Sequence, residues 1–370
     1  MHRLSCHNCG HDVFFENTQC VDCNQFLGYD PTTDQMLSST TETEWSADGI
    51  TLKACDNRPV VGCNWLTPTD TSLCDACRHN HVIPDLSAPG QSALWANIES
   101  AKRVLFYSIL AWNLPHKTKV EDPDTGLAFD FLADEPQPDG TVTQHLTGHA
   151  EGLITINIAE GDDAERERRR AEMGEPYRTL VGHFRHEIGH YYWDRLVATD
   201  PARLAEFRAL FGDEQADYAA ALTTHYQNGP PLDWRQSFIS AYATTHPWED
   251  FAETFAHYVH MVDGLETAAA FDIVAGMSKR IIDPYRDGTS EELIDAWVPV
   301  TVAVNAVNRS MGQPDLYPFV LSIPVFEKLA FIHELVRAQG GVARRPAYAA
   351  RKADPLGPLA RLFGGGRTQH

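Results

Sequence analysis

Apolar positions along the chain fall into two regimes. Between Gln91 and Ala111 they recur as Leu94, Ile98, Val104, Leu105, Ile109 and Leu110, the spacing of a helix with one buried face. Two later stretches alternate instead. "GLAFDFLAD" (126–134) and "GLITINIAE" (152–160) place Leu153, Thr155 and Asn157 opposite Ile154, Ile156 and Ile158, which predicts strands. The Pro/Gly/Asp-rich "DEPQPDGT" lies between them. From Pro176 onward only helical periodicity appears, over approximately 177–198, 201–211, 213–227, 232–243, 247–263, 290–311 and 324–338. Strands followed by a long helical run predict an α+β fold, mostly helical with a small sheet.

Charge and composition sharpen this picture. With 43% hydrophobic and 22% charged residues, the 370-residue chain has apolar material for one sizeable core and a smaller accessory module. The formal net charge of -21 argues against nucleic acid or anionic lipid as partner. No stretch reaches the roughly 18 apolar residues of a membrane span, and the N-terminus lacks a signal-peptide pattern, so a soluble cytoplasmic protein is expected. "GDDAERERRRAEMGEP" reads as a solvated charged segment, with a mobile flap as the alternative. The only basic segment is the Gly/Pro/Arg-rich tail, 340–370, whose composition predicts no fixed structure.

All eight cysteines precede residue 78. In a reducing compartment this segregation points to metal rather than disulfides. Cys6, Cys9, Cys20 and Cys23 form two C-x2-C knuckles, the spacing of a four-thiolate structural zinc site in a zinc ribbon. Cys55, Cys63, Cys74 and Cys77 are less regular and predict a second such site. There His79 or His81 replacing a cysteine, and cross-bracing between the two sets, remain open. Residues 1–90 carry four basic side chains against twelve acidic ones, so this head suits docking a protein better than binding phosphates. "NHVIPDLSAPGQ" (80–91) reads as a linker. The expected division is a zinc-ribbon region at 1–87, a main domain at 88–339 and the tail.

Candidate chemistry centres on "HFRHEIGHYYWDRL". His186 and His190, four apart on a helix, share a face and can present two imidazole nitrogens to one zinc ion, with Glu187 beside them as general base. In a chain with 17 histidines the pentapeptide alone is only suggestive. The extended metzincin pattern is excluded, because Trp193 and Leu196 stand where it needs glycine and a third histidine. A carboxylate from a later helix must then complete the set. Glu249 and Glu253 lie on one face of the segment that begins at Pro247. Glu249 is the expected zinc ligand and Glu253 the carboxylate that orients a zinc-bound histidine. Spacing leaves the swapped assignment open. Acids at these positions would also suit a helix N-terminus. Tyr242 can be read as an oxyanion hydrogen-bond donor or as an ordinary half-buried tyrosine. His183 reads as a cap or a surface residue, with a place behind the metal ligands as the alternative, and His149 is not assigned to metal.

HEIGH followed by Tyr242 and Glu249-Asp250-Phe251-Ala252-Glu253 resembles the gluzincin metallopeptidases, and the Tyr-to-Glu interval is similar to the lethal-factor-type catalytic domain. That resemblance implies that the first Glu binds zinc and that the Tyr assists the oxyanion. Over residues 1 to about 338, "CNWL", "GLITINIAEGDDAERERRR", "FRHEIGHYYWDRL" and "YPFVLS" resemble a bacterial family of zinc-binding metallopeptidases with an N-terminal zinc ribbon. The expectation is a zincin-like peptidase with one catalytic and two structural Zn2+ ions, acting on a peptide or protein substrate. The competing reading is a zinc-stabilised adaptor whose HExxH site binds without cutting.

Overall fold

In the computed structural model, residues 1–137, 139, 141–173, 179–273, 283–317 and 321–340 are described. The head begins with an antiparallel pair, β1 (Leu4–Ser5) and β2 (Asp12–Val13), followed by the hairpin β3 (Phe26–Asp30) and β4 (Gln35–Ser39). A three-stranded antiparallel sheet follows: β5 (Glu44–Ala47), β6 (Ile50–Ala54) and β7 (Leu66–Pro68). The short helix α1 (Arg58–Val61) fills the β6–β7 connection.

The next strand corrects the sequence reading. Asn80–Val82, expected to open a linker, is β8 and pairs in parallel with β9 (Ala128–Leu132) of the main sheet. A side chain holds it there: Asp130 accepts from the Val82 N–H and contacts His81 Nδ1 at 2.8 Å. Three residues carry too little periodicity to announce a strand, and this pairing to β9 is long-range.

After helix α2 (Gln91–Trp112) and β9 come a small hairpin, β10 (Glu135–Pro136) with β11 (Val142–Thr143), then β12 (Gly148–Ala150) and β13 (Leu153–Asn157). The main sheet has the order β12-β13-β9-β8, with β13 parallel to β9 and β12 an antiparallel edge. Phe129 and Phe131, two apart on β9, share one face. Phe129 meets Phe106 of α2 and Phe184 of the helix α4 (Leu180–Leu196), so α2 and α4 cover the same side of the sheet. Between β13 and α4 the charged segment forms helix α3 (Asp163–Met173).

The remaining described helices are α5 (Pro201–Phe211), α6 (Tyr218–Asn228), α7 (Pro247–Ala270), α8 (Ser290–Ser310) and α9 (Ile323–Ala338). The mixed helix and strand architecture agrees with the expected α+β class. One predicted helix is absent: 232–243 holds only short 3-10 turns at Trp234–Gln236 and Tyr242–Thr244. Side-chain oxygens compete with the backbone here, since Ser240 Oγ accepts from Ala243 N and Thr244 Oγ1 donates to Ala241 O. Helix α6 also starts later than its apolar pattern suggests, because Asp217 caps it by accepting from Ala220 N. The tail beyond Gly340 lies outside the described residues.

Candidate metal centres

Among the described residues, three groups of side chains converge closely enough to hold an ion. The first is Cys6, Cys9, Cys20 and Cys23. Each knuckle ends in a left-handed turn, at Gly10 (φ 74°) and Asn24 (φ 59°), where the backbone N–H bonds back to the carbonyl of Cys6 or Cys20. The sulfurs of Cys6 and Cys23, and of Cys9 and Cys20, are 3.7 Å apart. A tetrahedron with Zn–S bonds of ~2.3 Å has edges of ~3.8 Å, whereas a disulfide needs ~2 Å. The spacing fits zinc.

The second group is Cys55, Cys63, Cys74 and Cys77, all buried, with Cys63 Sγ 3.7 Å from Cys74 Sγ and 3.8 Å from Cys77 Sγ. The two sets are consecutive in sequence, so cross-bracing does not occur. Histidine does not substitute either. His79 Nδ1 and Nε2 face the carbonyls of Asp75 and His116 at 2.8 and 2.7 Å, and His81 is held by Asp130. Helix α2 packs charged side chains against this group: Lys102 and Glu99 form a fully buried pair at 2.7 Å, and Glu99 lies 3.6 Å from Cys77 Sγ. Arg103 is buried in α2 beside this group. Burial opposes its charge, but Cys63, Glu99, Cys77 and Cys74 overcome it and raise its pKa.

The third group joins α4 to α7. Thr179 caps α4 by accepting from Gly182 N, and the helix carries His186, Glu187 and His190, all buried. Pro247 opens α7, placing Glu249 in its first turn. The two helices touch at Gly189, where a Cβ would stand 3.0 Å from Ala252 Cα and 3.2 Å from its carbonyl oxygen. The conformational cost of this mid-helix glycine is thus offset by close approach of the two helices that carry the third group.

Glu249 Oε2 lies 3.0 Å from His186 Nε2 and 3.5 Å from His190 Nε2, and the two Nε2 atoms are 3.1 Å apart. Ligands at ~2.05 Å around a tetrahedral zinc ion are separated by ~3.3 Å. Glu249 Oε2 is buried and points at the two imidazole nitrogens, where a cation can take its lone pairs. Burial alone would lower the His186 pKa, yet hydrogen bonds and charge from Glu249 and Glu253 raise it well above the imidazole range. The site's field favours positive charge. Glu249 itself is held well below the carboxylate range: burial pushes it up, but the His190 charge and the hydrogen bonds of both histidines outweigh that.

The acids of the α7 N-terminus make different contacts. Glu253 Oε1 sits 2.7 Å from His186 Nδ1, away from the triangle. Burial raises the Glu253 pKa, but His186 brings it down to about 2. Asp250 instead meets Lys328 of α9 at 2.6 Å, a buried pair. Glu187 is buried, with Oε2 unpartnered. The Tyr242 ring lies 5.9 Å from that of His186. His183 is neither a cap nor a surface residue; it contacts the buried carboxylate of Glu160.

Two neighbours escaped the sequence reading. The Trp248 ring lies against that of His190, with centroids 3.7 Å apart. Its only signal was its place beside Glu249. Tyr218, the first residue of α6, donates to Glu249 Oε1 at 2.7 Å and shares a hydrogen bond with Tyr242. No pattern links Tyr218 to the other site residues, because it lies 31 residues before Glu249.

Comparison with known families agrees with this geometry. The model of the family described as "Putative zinc-binding metallo-peptidase" matches residues 91–335, and that of a zinc-ribbon domain matches residues 3–88. The chain belongs to this metallopeptidase family. Its relatives include uncharacterised proteins of Mycobacterium tuberculosis and Mycobacterium bovis, 44% identical over 341 residues, covering 91% of this chain and 95% of theirs. No solved structure matches. The family match carries zinc binding with it, and the three convergent groups are where this family member can hold the metal. No helix among the described residues is long and apolar enough to cross a membrane.

Proposed function

We propose that this protein is a zinc-dependent peptidase of the gluzincin type, with its catalytic ion between His186, His190 and Glu249 and one structural zinc in each four-cysteine group. The observation that carries this reading is the triangle of two Nε2 atoms and Glu249 Oε2, with Glu187, whose Oε2 is buried and unpartnered, beside the two histidines on α4. Bound there, zinc supplies Lewis acidity, polarising a scissile carbonyl and making water a better nucleophile at neutral pH.

The chain's own groups do the rest. Glu187 accepts the proton of the attacking water and delivers it to the departing amine. Tyr242 donates a hydrogen bond to the oxyanion that develops on the former carbonyl oxygen. Glu253, on His186 Nδ1, fixes the tautomer and orientation of that ring so that Nε2 faces the metal. Strand β12 is the edge of the described main sheet beside α4, a place where a substrate peptide can be laid down as an extra strand. The substrate is therefore a peptide or protein segment in extended form.

The test compares cleavage products in a peptide library, or in a proteome digest, treated with wild type or with Glu187→Gln. Fragments that appear only with wild type, from a variant that keeps its metal, support the reading. Equal cleavage by both removes Glu187 from the base role, and no cleavage by either removes the peptidase assignment.

A further inference from the structure

Helix α6 runs from Tyr218 to Asn228 and buries none of its side chains. Yet the Tyr218 ring stands edge-on to His246 and Trp248, with centroids 5.3 and 6.1 Å away, and its hydroxyl donates to Glu249 Oε1 at 2.7 Å. The helix is turned so that its first side chain reaches the carboxylate.

This contact divides the two oxygens of Glu249. Oε1 is taken by the phenol, while Oε2 alone faces His186 and His190 at 3.0 and 3.5 Å. A carboxylate free at both oxygens can chelate a cation through both. One whose outer oxygen accepts a hydrogen bond offers a single donor atom and leaves a coordination position for water or substrate.

We infer that Tyr218 is a positioning residue for the metal-binding carboxylate: it holds Glu249 as a one-oxygen ligand and tethers α6 across the site. The inference rests on the metal-site reading above and deepens it. In the same arrangement Tyr218 shares a hydrogen bond with Tyr242. A substrate that recruits Tyr242 must compete for this bond, which ties the position of α6 to occupancy of the site.

The test uses the full chain with Co2+ as probe. Wild type is treated with chelator until it loses only the ion that His186→Ala lacks, then refilled with Co2+. In Tyr218→Phe the Co2+ dissociation constant should rise about tenfold or more, as for loss of other groups that orient ligands. The visible Co2+ absorption should also weaken, because a chelating carboxylate raises the coordination number from four to five. Tyr226→Phe, an exposed position on the same helix, controls for general disturbance of α6 and should change neither value. Unchanged affinity and spectrum in Tyr218→Phe overturn the inference even if activity falls. If wild type takes up no Co2+ that His186→Ala fails to bind, the metal-site reading itself is lost, a separate failure.

Discussion

Nδ1 of His186 lies 2.7 Å from Oε1 of Glu253, while Nε2 of the same ring lies 3.0 Å from Oε2 of Glu249. One imidazole thus connects two carboxylates of a single helix, spaced four residues apart. Rotating α7 by one residue would exchange neither role cleanly. Both contacts depend on the register between α4 and α7.

Glu253→Gln keeps a hydrogen-bonding group but removes the charge that faces His186 Nδ1. Affinity at this site should fall about 10- to 100-fold, with the cysteine-bound ions retained. Competition with a chromogenic chelator measures this, and unaltered affinity would mean that Glu253 does not orient the ring.

Gly189→Ala gains up to ~1 kcal/mol in helix propensity. Its methyl group, however, would sit 3.0 Å from Ala252 Cα and 3.3 Å from Phe255 Cβ, and such overpacking costs about 1–3 kcal/mol. The contact is with backbone, which cannot rotate away, so α4 and α7 must separate. The variant should unfold at lower temperature and bind the site's metal less tightly. A higher unfolding temperature with unchanged affinity would contradict the close-packing account.

The two cysteine groups should differ in consequence. Cys9 is exposed, whereas Cys77 is buried against Glu99, near the Lys102 and Arg103 charges of α2. Cys77 also leads directly into β8 of the main sheet. Cys77→Ser should therefore lower the unfolding temperature of the whole chain more than Cys9→Ser, by several degrees. Equal effects from thermal unfolding of the two variants would argue that both groups belong to one independent head.

The legible part of this protein was what local rules govern. The four-residue spacing of His186 and His190, the apolar stripe of α2 and the alternation in β13 each reflect a period set by backbone geometry. The Cys6 to Cys23 knuckles were equally plain, because turn geometry fixes their spacing. What escaped depends on distant partners. β8 is a strand only because β9 lies beside it, and Tyr218 reaches Glu249 only through the path of the intervening chain. The predicted helix at 232–243 failed for another reason, since Ser240 and Thr244 side chains bond the backbone in place of helical partners. Even the acids of α7 looked alike in sequence as a charged first turn, although Glu249 and Glu253 meet opposite nitrogens of His186 and Asp250 meets Lys328.

A zinc ion between His186, His190 and Glu249 would show in the metal content of the protein. Elemental analysis of full-length protein, purified without chelators or metal-affinity resin, should give three zinc ions per chain in wild type and two in His186→Ala. Two ions in both proteins would contradict it.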